Sequence, residues 1–297
     1  MKISILGTNG FLSTAIAKFA IQEGWNLNMF GLEAPKQHGC DAFHPVNFMD
    51  SGIDCSQLLD SDMIIYASGA GIQSNLKEGN KLIYHLNVTV PVEICNQLNA
   101  LDYKGCFVTF GSVFEMGETT EHRFFMEEDI LTSICKAPNG YTVSKRMLTR
   151  FVDSYQHEFT HWHFFIPTIY GAGENPRRLI PYVVHAIKNH EELHFTAGDQ
   201  VRQYVHVSEV PHILKEAFRK NLPSGLYNIQ GKETLTVKEL VQMIHQAFEK
   251  NVPDNCFGTA ARADVGMKYL ALDGEKLKSE IGFEAKVSIV ESLADYR

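Results

Sequence analysis

The chain has 297 residues, of which 44% are hydrophobic, and a formal net charge of −8 from 27 Lys and Arg against 35 Asp and Glu. This composition predicts a folded protein with a sizeable core and excludes a disordered or fibrous chain. The acidic balance and the lack of a basic run argue against nucleic acid as a partner. The apolar stretches are too short to span a bilayer, and the opening MKISILG lacks the apolar core of a signal peptide. We therefore expect a cytoplasmic protein with no membrane partner.

Short β-rich runs alternate with helical patterns through the first half of the chain. The run KISILG precedes FLSTAIAKFAIQEG, whose helical periodicity stops at Gly24. Further helices are predicted over 80–101 and from Tyr141 to about residue 158. Five more strands are predicted at LNMF, AFHPV, DMIIYAS, CFVTFGS and WHFFIP. This alternation predicts an α/β fold built on a doubly wound parallel sheet, the Rossmann type, covered on both faces.

The turn between the first strand and the first helix is GTNGFLS, with Gly7, Gly10 and then Ser13 where a third glycine is usual. Glycines let the backbone turn tightly and approach a pyrophosphate. The N–H groups and dipole of a helix N-terminus stabilise such an anion. The turn therefore predicts a bound dinucleotide.

The end of the second strand predicts which dinucleotide binds. An acid there binds the ribose 2′-OH of NAD, and Gly31 has no carboxylate. This favours NADP, with Lys36 as a candidate phosphate partner. NAD remains the alternative because Glu33 lies close by and no arginine replaces the acid.

The texture changes after Pro167, where TIYGAGENPRRLIP is punctuated by glycine and proline. We predict a dinucleotide-binding domain over 1–167, to which 201–220 returns, and a smaller C-terminal α/β substrate lobe made of 168–200 and 221–297. Ligands of such folds bind at the carboxyl ends of the strands, so a site is expected where the two parts meet.

The six cysteines are scattered and show no C-x-x-C pair or other metal-ligand spacing. They are typical of small buried apolar residues in a reducing compartment. Among the 13 histidines there is no H-E-x-x-H pattern, and His161 and His163 alternate along a predicted strand. The sequence therefore predicts no metal site.

Tyr141 and Lys145 are four residues apart, so a helix holds them on one face. With the glycine turn, this Tyr-x-x-x-Lys spacing resembles the extended short-chain dehydrogenase/reductases, the NAD(P)-dependent epimerase/dehydratase family. The resemblance covers nearly the whole chain. Its other elements are Asn87 in HLNVTVPVEIC, the strand end FVTFGSVFEMG, Arg202 in GDQVRQYVHVSEV, GLYNIQ, and the terminal DGEKLKSEIGFEAKVSIVESL.

The resemblance implies that Ser112, Tyr141 and Lys145 are catalytic, with Thr109 as the alternative to Ser112. The phenol would exchange a proton with the substrate oxygen while hydride moves to or from the nicotinamide. Lys145 would lower the pKa of the phenol and hold the ribose, and Ser112 would bind the substrate oxygen.

The resemblance also implies a set of binding residues. Cofactor contacts are expected from Gly7, Asn9, Gly10, Phe11, Leu12, Gly31, Asn47, Phe48, Ala67, Ser68, Asn87, Tyr141, Lys145 and Pro167. Substrate contacts are expected from Ser112, Thr168, Arg202 and Arg262, with the two arginines on the diphosphate of a nucleotide-linked sugar. The chain departs from the family pattern at Phe165 and Thr168, where Arg and Asn are common, and at Ala172, where Pro is usual.

The segment after Ser112 narrows the reaction. Family dehydratases carry Asp-Glu there, and Val113 and Phe114 cannot transfer protons. Reduction of a 4-keto-6-deoxy sugar nucleotide by NADPH is the first hypothesis, and a 4-epimerase with tightly bound NAD is the alternative. Other carbonyl reductions, sugar-nucleotide oxidation and a non-catalytic dinucleotide sensor are remote alternatives. The resemblance further implies a homodimer formed through the segments 80–101 and 141–158.

Overall fold

The large sheet of the protein confirms the predicted fold class. A computed structural model describes residues 1–50, 52–72, 77–260 and 266–296. Seven parallel strands form this sheet in the order β3-β2-β1-β4-β5-β6-β9, a doubly wound arrangement. The strands are β1 Lys2–Leu6, β2 Asn26–Gly31, β3 Ala42–Pro45, β4 Met63–Tyr66, β5 Cys106–Ser112, β6 Thr160–Ile166, β7 Thr168–Tyr170, β8 Val201–His206, β9 Gly225–Asn228, β10 Glu233–Thr236 and β11 Tyr269–Leu270.

Helices cover both faces of this sheet. They are α1 Phe11–Gln22, α2 Asn80–Tyr84, α3 Val90–Ala100, α4 Glu127–Leu131, α5 Gly140–Ser154, α6 Leu179–Asn189, α7 Glu209–Arg219, α8 Val237–Ala247, α9 Glu275–Ile281 and α10 Ile289–Ser292. Short 3-10 helices lie at Cys55–Leu58, Val113–Met116 and Leu293–Tyr296. A π-helical turn, His85–Thr89, joins α2 to α3, so the helix predicted over 80–101 is continuous but underwound at its middle.

The central strands are apolar and buried, as expected for a sheet covered on two sides. One core cluster joins β1 and β4 to α1, α7 and α9. Another packs α3 against the opposite face of the sheet. The carboxyl ends of β1, β4 and β5 therefore meet at one edge, where loops carry the residues of interest.

The end of α5 corrects one prediction. The helix stops at Ser154 instead of about residue 158, because Tyr155 adopts extended backbone angles, φ −108° and ψ 125°. The following segment packs its rings inward, with His157 stacked on Phe159 at a centroid distance of 4.7 Å. This packing directs the chain into β6.

A second, smaller sheet contains β7, β8, β10 and β11. The segment 201–220 supplies both β8 of this sheet and α7, which packs on α1. The segment 221–297 supplies β9, which pairs with β6 at the edge of the large sheet. We retain the division into a dinucleotide domain and a substrate lobe as a proposal. Within the described ranges, no helix has both the length and the apolarity needed to cross a membrane.

Candidate active site

The glycine turn after β1 has the steric form expected of a dinucleotide cradle. Gly7 has φ +122°, and a Cβ there would lie 2.7 Å from Ser68 Oγ and 3.0 Å from Ser68 N. α1 begins directly after Gly10, and no side chain caps its first N–H groups. These N–H groups therefore remain available to donate hydrogen bonds to an anion, such as the pyrophosphate of a dinucleotide.

A cleft of about 370 Å³ lies beside this turn at the carboxyl ends of β1, β2 and β4. Among the residues predicted to bind the cofactor, it brings together Gly7, Asn9, Gly10, Gly31, Asn47, Phe48, Ala67 and Ser68. Glu33, which the sequence placed near the ribose position, also lines it. The wall residues that the sequence did not indicate are Thr8, Leu32, Val46, Met49, Gly69, Leu82 and Leu86.

Six residues predicted to bind the cofactor are not part of this wall, and two of them, Phe11 and Leu12, belong to the first turn of α1. Phe11 lines a separate cleft of about 330 Å³ that includes residues of α1 and α7. Leu12 packs against the core beneath α1. Their backbone N–H groups belong to the first turn of α1, so any role at the anion would come from the backbone.

The end of β2 gives Gly31 a packing role. A Cβ at Gly31 would lie 2.7 Å from Thr8 Oγ1, which itself donates to the carbonyl of Glu33 at 2.7 Å. No larger side chain fits at residue 31 without moving this loop. Glu33 is exposed and lines the cleft, whereas Lys36 is exposed and is not part of its wall.

Asn87 sits in the π-helical turn and is 1% exposed. Its side chain accepts from Ala70 N at 2.9 Å and donates to Ala70 O and to Ser144 Oγ, both at 2.9 Å. It therefore ties the loop after β4 to α5. This places Asn87 as a brace beside the crevice, with its amide fully occupied by protein partners.

Tyr141 and Ser112 come together at the edge of the sheet. Ser112 is the last residue of β5, and its hydroxyl lies within hydrogen-bonding reach of the Tyr141 phenol. A Cβ on Gly71, in the loop after β4, would lie 3.2 Å from Tyr141 Cβ, so glycine lets this loop approach the tyrosine. The tyrosine thus lies on the crevice side of α5.

Lys145 lies one turn after Tyr141, and burial shifts the pKa values of both residues. Its Nζ donates to Phe110 O at 2.7 Å and lies 5.9 Å from the centroid of the Tyr141 ring. Burial raises the pKa of Tyr141 to about 12, opposed by the Ser112 hydrogen bond and, more weakly, by Arg178. Burial lowers the pKa of Lys145 to about 8. Burial is therefore the largest influence on the pKa of the phenol in this structure, and the acidifying role of Lys145 stays a prediction.

Thr109, the alternative to Ser112, is fully buried beneath α5. Its hydroxyl contacts His161 Nε2 at 2.9 Å and His163 Nδ1 at 2.8 Å. It has no access to the crevice, so the geometry favours Ser112 as the hydroxyl beside Tyr141.

Glu115 is a buried acid that the sequence reasoning missed. Its carboxylate accepts from Ser112 N at 2.7 Å and from Thr149 Oγ1 at 2.6 Å. Burial raises its pKa to about 7, opposed by these hydrogen bonds and by Lys145 and Arg146. Because it is 0% exposed, it positions Ser112 instead of meeting a substrate.

Several cationic and polar residues lie on the substrate side. Arg178 Nε pairs with the buried Glu174 at 3.1 Å, and its charge acts on both Tyr141 and Tyr204. Arg202 is half-buried on β8, where Nη1 donates to its neighbour's carbonyl at 2.7 Å. Thr168 pairs with Tyr204 across β7 and β8, directly after the buried Pro167. The predicted substrate residue Arg262 lies outside the described residues.

Comparison with known proteins identifies the family. A sequence model of the NAD dependent epimerase/dehydratase family matches residues 3–229. The chain belongs to this family. The resemblance seen in the sequence is thus confirmed. Among curated proteins, the chain is similar to the CDP-abequose synthase of Salmonella muenchen, at 23% identity over 235 residues that cover 77% of this chain and 74% of the relative.

Solved structures show the same fold. A double mutant of DesIV, the dTDP-glucose 4,6-dehydratase of Streptomyces venezuelae with NAD bound, superposes with a TM-score of 0.84 at 17% identity, covering 99% of this chain and 95% of that one. A UDP-glucuronic acid 4-epimerase variant from Bacillus cereus, also with NAD, gives 0.82 at 16% identity, with 99% and 96% covered.

The segment after Ser112 faces away from the crevice. Val113 is buried, Phe114 is half-buried, and Glu115 turns inward to cap the short helix that follows β5. This segment therefore presents no carboxyl group to the crevice.

Proposed function

We propose that the protein is an oxidoreductase that reduces C4 of a 4-keto-6-deoxy sugar carried on a nucleoside diphosphate. The observation that carries this proposal is the Tyr141 phenol beside the Ser112 hydroxyl at the crevice, together with a following segment that presents no carboxyl group there. A phenol with a pKa of about 12 stays neutral at physiological pH and is the form that donates a proton to a carbonyl. Reduction needs that donor, whereas elimination of water would need an acid and a base after Ser112.

The substrate class rests on the family and on the substrate side of the crevice. The Salmonella muenchen relative is by its name a synthase of a CDP-linked sugar. In this chain, Arg178 and Arg202 place positive charge near Tyr204. Guanidinium groups bind phosphate oxygens in a bidentate manner, which suits the diphosphate of such a substrate.

The residues would divide the reaction as follows. When bound, a reduced nicotinamide supplies the hydride. The Gly7 turn and the N-terminus of α1 would hold the pyrophosphate, and Lys145, fixed to Phe110 O, would orient the ribose. Ser112 would donate a hydrogen bond to the keto oxygen, and Tyr141 would give that oxygen its proton. Glu115 keeps Ser112 in place through its backbone N–H.

For the cofactor we propose NADP over NAD, because residue 31 carries no carboxylate to oppose a 2′-phosphate. Glu33 acts in the other direction, but it is exposed and its charge is screened by water. We expect Glu33→Gln to raise the affinity for NADP⁺ relative to NAD⁺ by about 3- to 10-fold, since an anion near the 2′-phosphate is removed. Fluorescence titration with both dinucleotides measures this ratio, with Glu23→Gln on the far end of α1 as the control. An unchanged ratio would show that Glu33 does not face the ribose.

Arg178 provides a second test of the substrate side. Arg178→Gln should raise KM for the sugar nucleotide by about 10- to 100-fold, because a charge-assisted phosphate contact contributes about 1.5–3 kcal/mol. The kcat should fall less, and cofactor affinity should not change. Steady-state kinetics measure both constants, with the exposed Arg177→Gln as the matched control. If the two variants behave alike, Arg178 is not a substrate residue.

The proposed activity is tested by incubating the protein and NADPH with a panel of nucleotide-linked 4-keto-6-deoxy sugars while following the loss of reduced cofactor. We expect stoichiometric oxidation with at least one member of the panel. No oxidation with any member, using NADPH or NADH, would refute the proposal.

A 4-epimerase is the second candidate, and the position of Glu33 on the cleft wall is the observation that favours it. A carboxylate there suits the ribose hydroxyls of NAD, which family epimerases keep bound. Purified protein that carries NAD and interconverts two 4-epimers without net cofactor use would support this candidate over the reductase.

We also propose that the protein is a homodimer. Val143 and Met147 lie one turn apart on α5 and are 37% and 48% exposed. Apolar side chains on a helix of the predicted pairing segment suit a contact with a second copy. Light scattering in solution decides between a dimer and a monomer.

A further inference from the structure

A group of metal-binding side chains lies at the opposite end of the large sheet from the crevice. Cys95 on α3, His157 after α5 and His161 near the start of β6 each place a ligand atom within 4.8 Å of the other two. His157 and His161 are four residues apart, but Cys95 is distant from both in sequence, so no complete spacing motif marks the three ligands. We propose that Cys95, His157 and His161 bind one Zn²⁺ ion.

The ring nitrogens of the two histidines are the first support. Both nitrogens of His157 and Nδ1 of His161 are buried, and none has a hydrogen-bond partner among the described residues. His161 is 2% exposed. Buried polar atoms are nearly always paired, because an unpaired one has lost its hydrogen bonds to water without replacement. One such nitrogen on each ring, beside the Cys95 thiol, is explained if both rings ligate the same ion.

A buried chain of hydrogen bonds places the proton of the His161 ring on Nε2, the nitrogen that faces Thr109. Thr149 donates its only hydroxyl proton to Glu115, so it must accept from His163 Nε2 at 3.0 Å. His163 Nδ1 then accepts from Thr109, and Thr109 accepts from His161 Nε2. His161 Nδ1 is left with a bare lone pair.

This arrangement is the one that metal-bound histidines use. A ligating imidazole donates its other N–H to a fixed acceptor, which sets the tautomer and the ring orientation. Here Thr109 Oγ1 is that acceptor.

The geometry and chemistry of the donors select zinc. Tetrahedral Zn²⁺ holds nitrogen and sulfur ligands about 3.3–3.6 Å apart, so closing the site requires shifts of about 1 Å. The Cys95 thiol must lose its proton, and that proton leaves to solvent as the Zn–S bond forms. One thiolate and two imidazoles suit Zn²⁺ rather than Mg²⁺ or Ca²⁺, which prefer oxygen.

An entry path for the ion is present. A cleft of about 500 Å³ reaches His157 and His161. Carboxylates of Glu127, Glu128 and Asp153 line it and would attract a cation. A water from this cleft completes the fourth coordination position. The proposal replaces the expectation from the sequence that the chain has no metal site.

The test uses the full-length reduced protein after removal of metals by a chelator. Titration with Co²⁺ should give a thiolate-to-cobalt charge-transfer band at one ion per chain, and Zn²⁺ should displace it. Cys95→Ser should abolish that band, and His157→Ala should weaken Co²⁺ binding at least 10-fold. The control variants Cys40→Ser and His185→Ala should bind like the wild type. Circular dichroism verifies that each variant is folded.

Two further results sharpen the test. Thr109→Val keeps all three ligands but removes the acceptor of His161, so Co²⁺ affinity should fall about 10- to 100-fold. Zn²⁺ should raise the thermal midpoint of the wild type but not that of His157→Ala. The proposal is overturned if the wild type gives no charge-transfer band, or if the band survives unchanged in Cys95→Ser.

Discussion

Replacing Tyr141 with phenylalanine should lower kcat by about 10³-fold while leaving cofactor affinity within about 2-fold of the wild type, because general acid catalysis contributes about 10²–10⁴-fold. The phenol hydroxyl is the proton donor that the crevice presents next to Ser112. Its removal leaves the ring and its packing intact, so only proton delivery is lost. Single-turnover reduction monitored by NADPH absorbance, together with dinucleotide titration, separates the two effects.

Tyr155→Phe is the matched control for this variant. Tyr155 follows the same helix, and its side chain is 43% exposed and far from Ser112 along α5. The Tyr155→Phe variant should turn over substrate at the wild-type rate. Wild-type turnover by Tyr141→Phe would mean that another group delivers the proton, and the catalytic assignment would fail.

The second large effect is on stability and comes from Glu115. Burial raises the pKa of this carboxyl from its usual 4.5 to about 7. Between these values the folded state holds a proton that the unfolded state has lost, so the free energy of unfolding falls as pH rises. The loss approaches about 3 kcal/mol by pH 7, at about 1.4 kcal/mol for each pH unit.

Lys145 has the opposite effect on the pH dependence of the free energy of unfolding, and it acts at higher pH. Burial lowers its pKa from 10.5 to about 8, so between these values the unfolded state binds the extra proton. The free energy of unfolding therefore rises with pH in this range. The combined contribution of Glu115 and Lys145 to stability should therefore pass through a minimum between about pH 7 and pH 8.

Glu115→Gln should remove the contribution of Glu115 that lowers the free energy of unfolding as pH rises. It should therefore stabilise the protein at pH 7.5 by about 2–3 kcal/mol. The amide keeps an oxygen for Ser112 N–H and carries no charge to bury. Denaturant unfolding across pH 4.5 to 8.5 measures the effect, with the exposed Glu128→Gln as the control. A pH profile of Glu115→Gln that matches the wild type would show that Glu115 does not carry this charge.

The parts of the fold and site that could be predicted from sequence are local in the chain. The Gly7 and Gly10 turn, the alternation of strands and helices, and the Tyr141–Lys145 spacing are each contained within a few residues. Local sequence sets the backbone conformation and the shared helix face, so these features followed from spacing alone. Their place in the sheet then followed from topology.

The missed features are set by contacts between distant segments. Glu115 reads as one more acid in the sequence, but strand pairing and α5 bury it against Thr149. The same burial explains why Tyr141 has a raised pKa beside a lysine, since desolvation outweighs a charge that is engaged with Phe110 O. Arg178 directly precedes α6, far from Tyr141 in sequence, and yet its charge acts on the Tyr141 phenol. Contacts between residues so far apart in the chain leave no periodic pattern in the sequence.

The measurement that tests the account most directly is hydride tracing. Wild-type protein is incubated with NADPH deuterated at C4 of the nicotinamide and with a 4-keto-6-deoxy sugar nucleotide that it accepts, and the product is analysed by NMR. The account predicts one deuterium at C4 of the sugar for each cofactor oxidised, and no product from Tyr141→Phe on the same timescale. Product without deuterium at C4, or equal labelling by Tyr141→Phe, would contradict it.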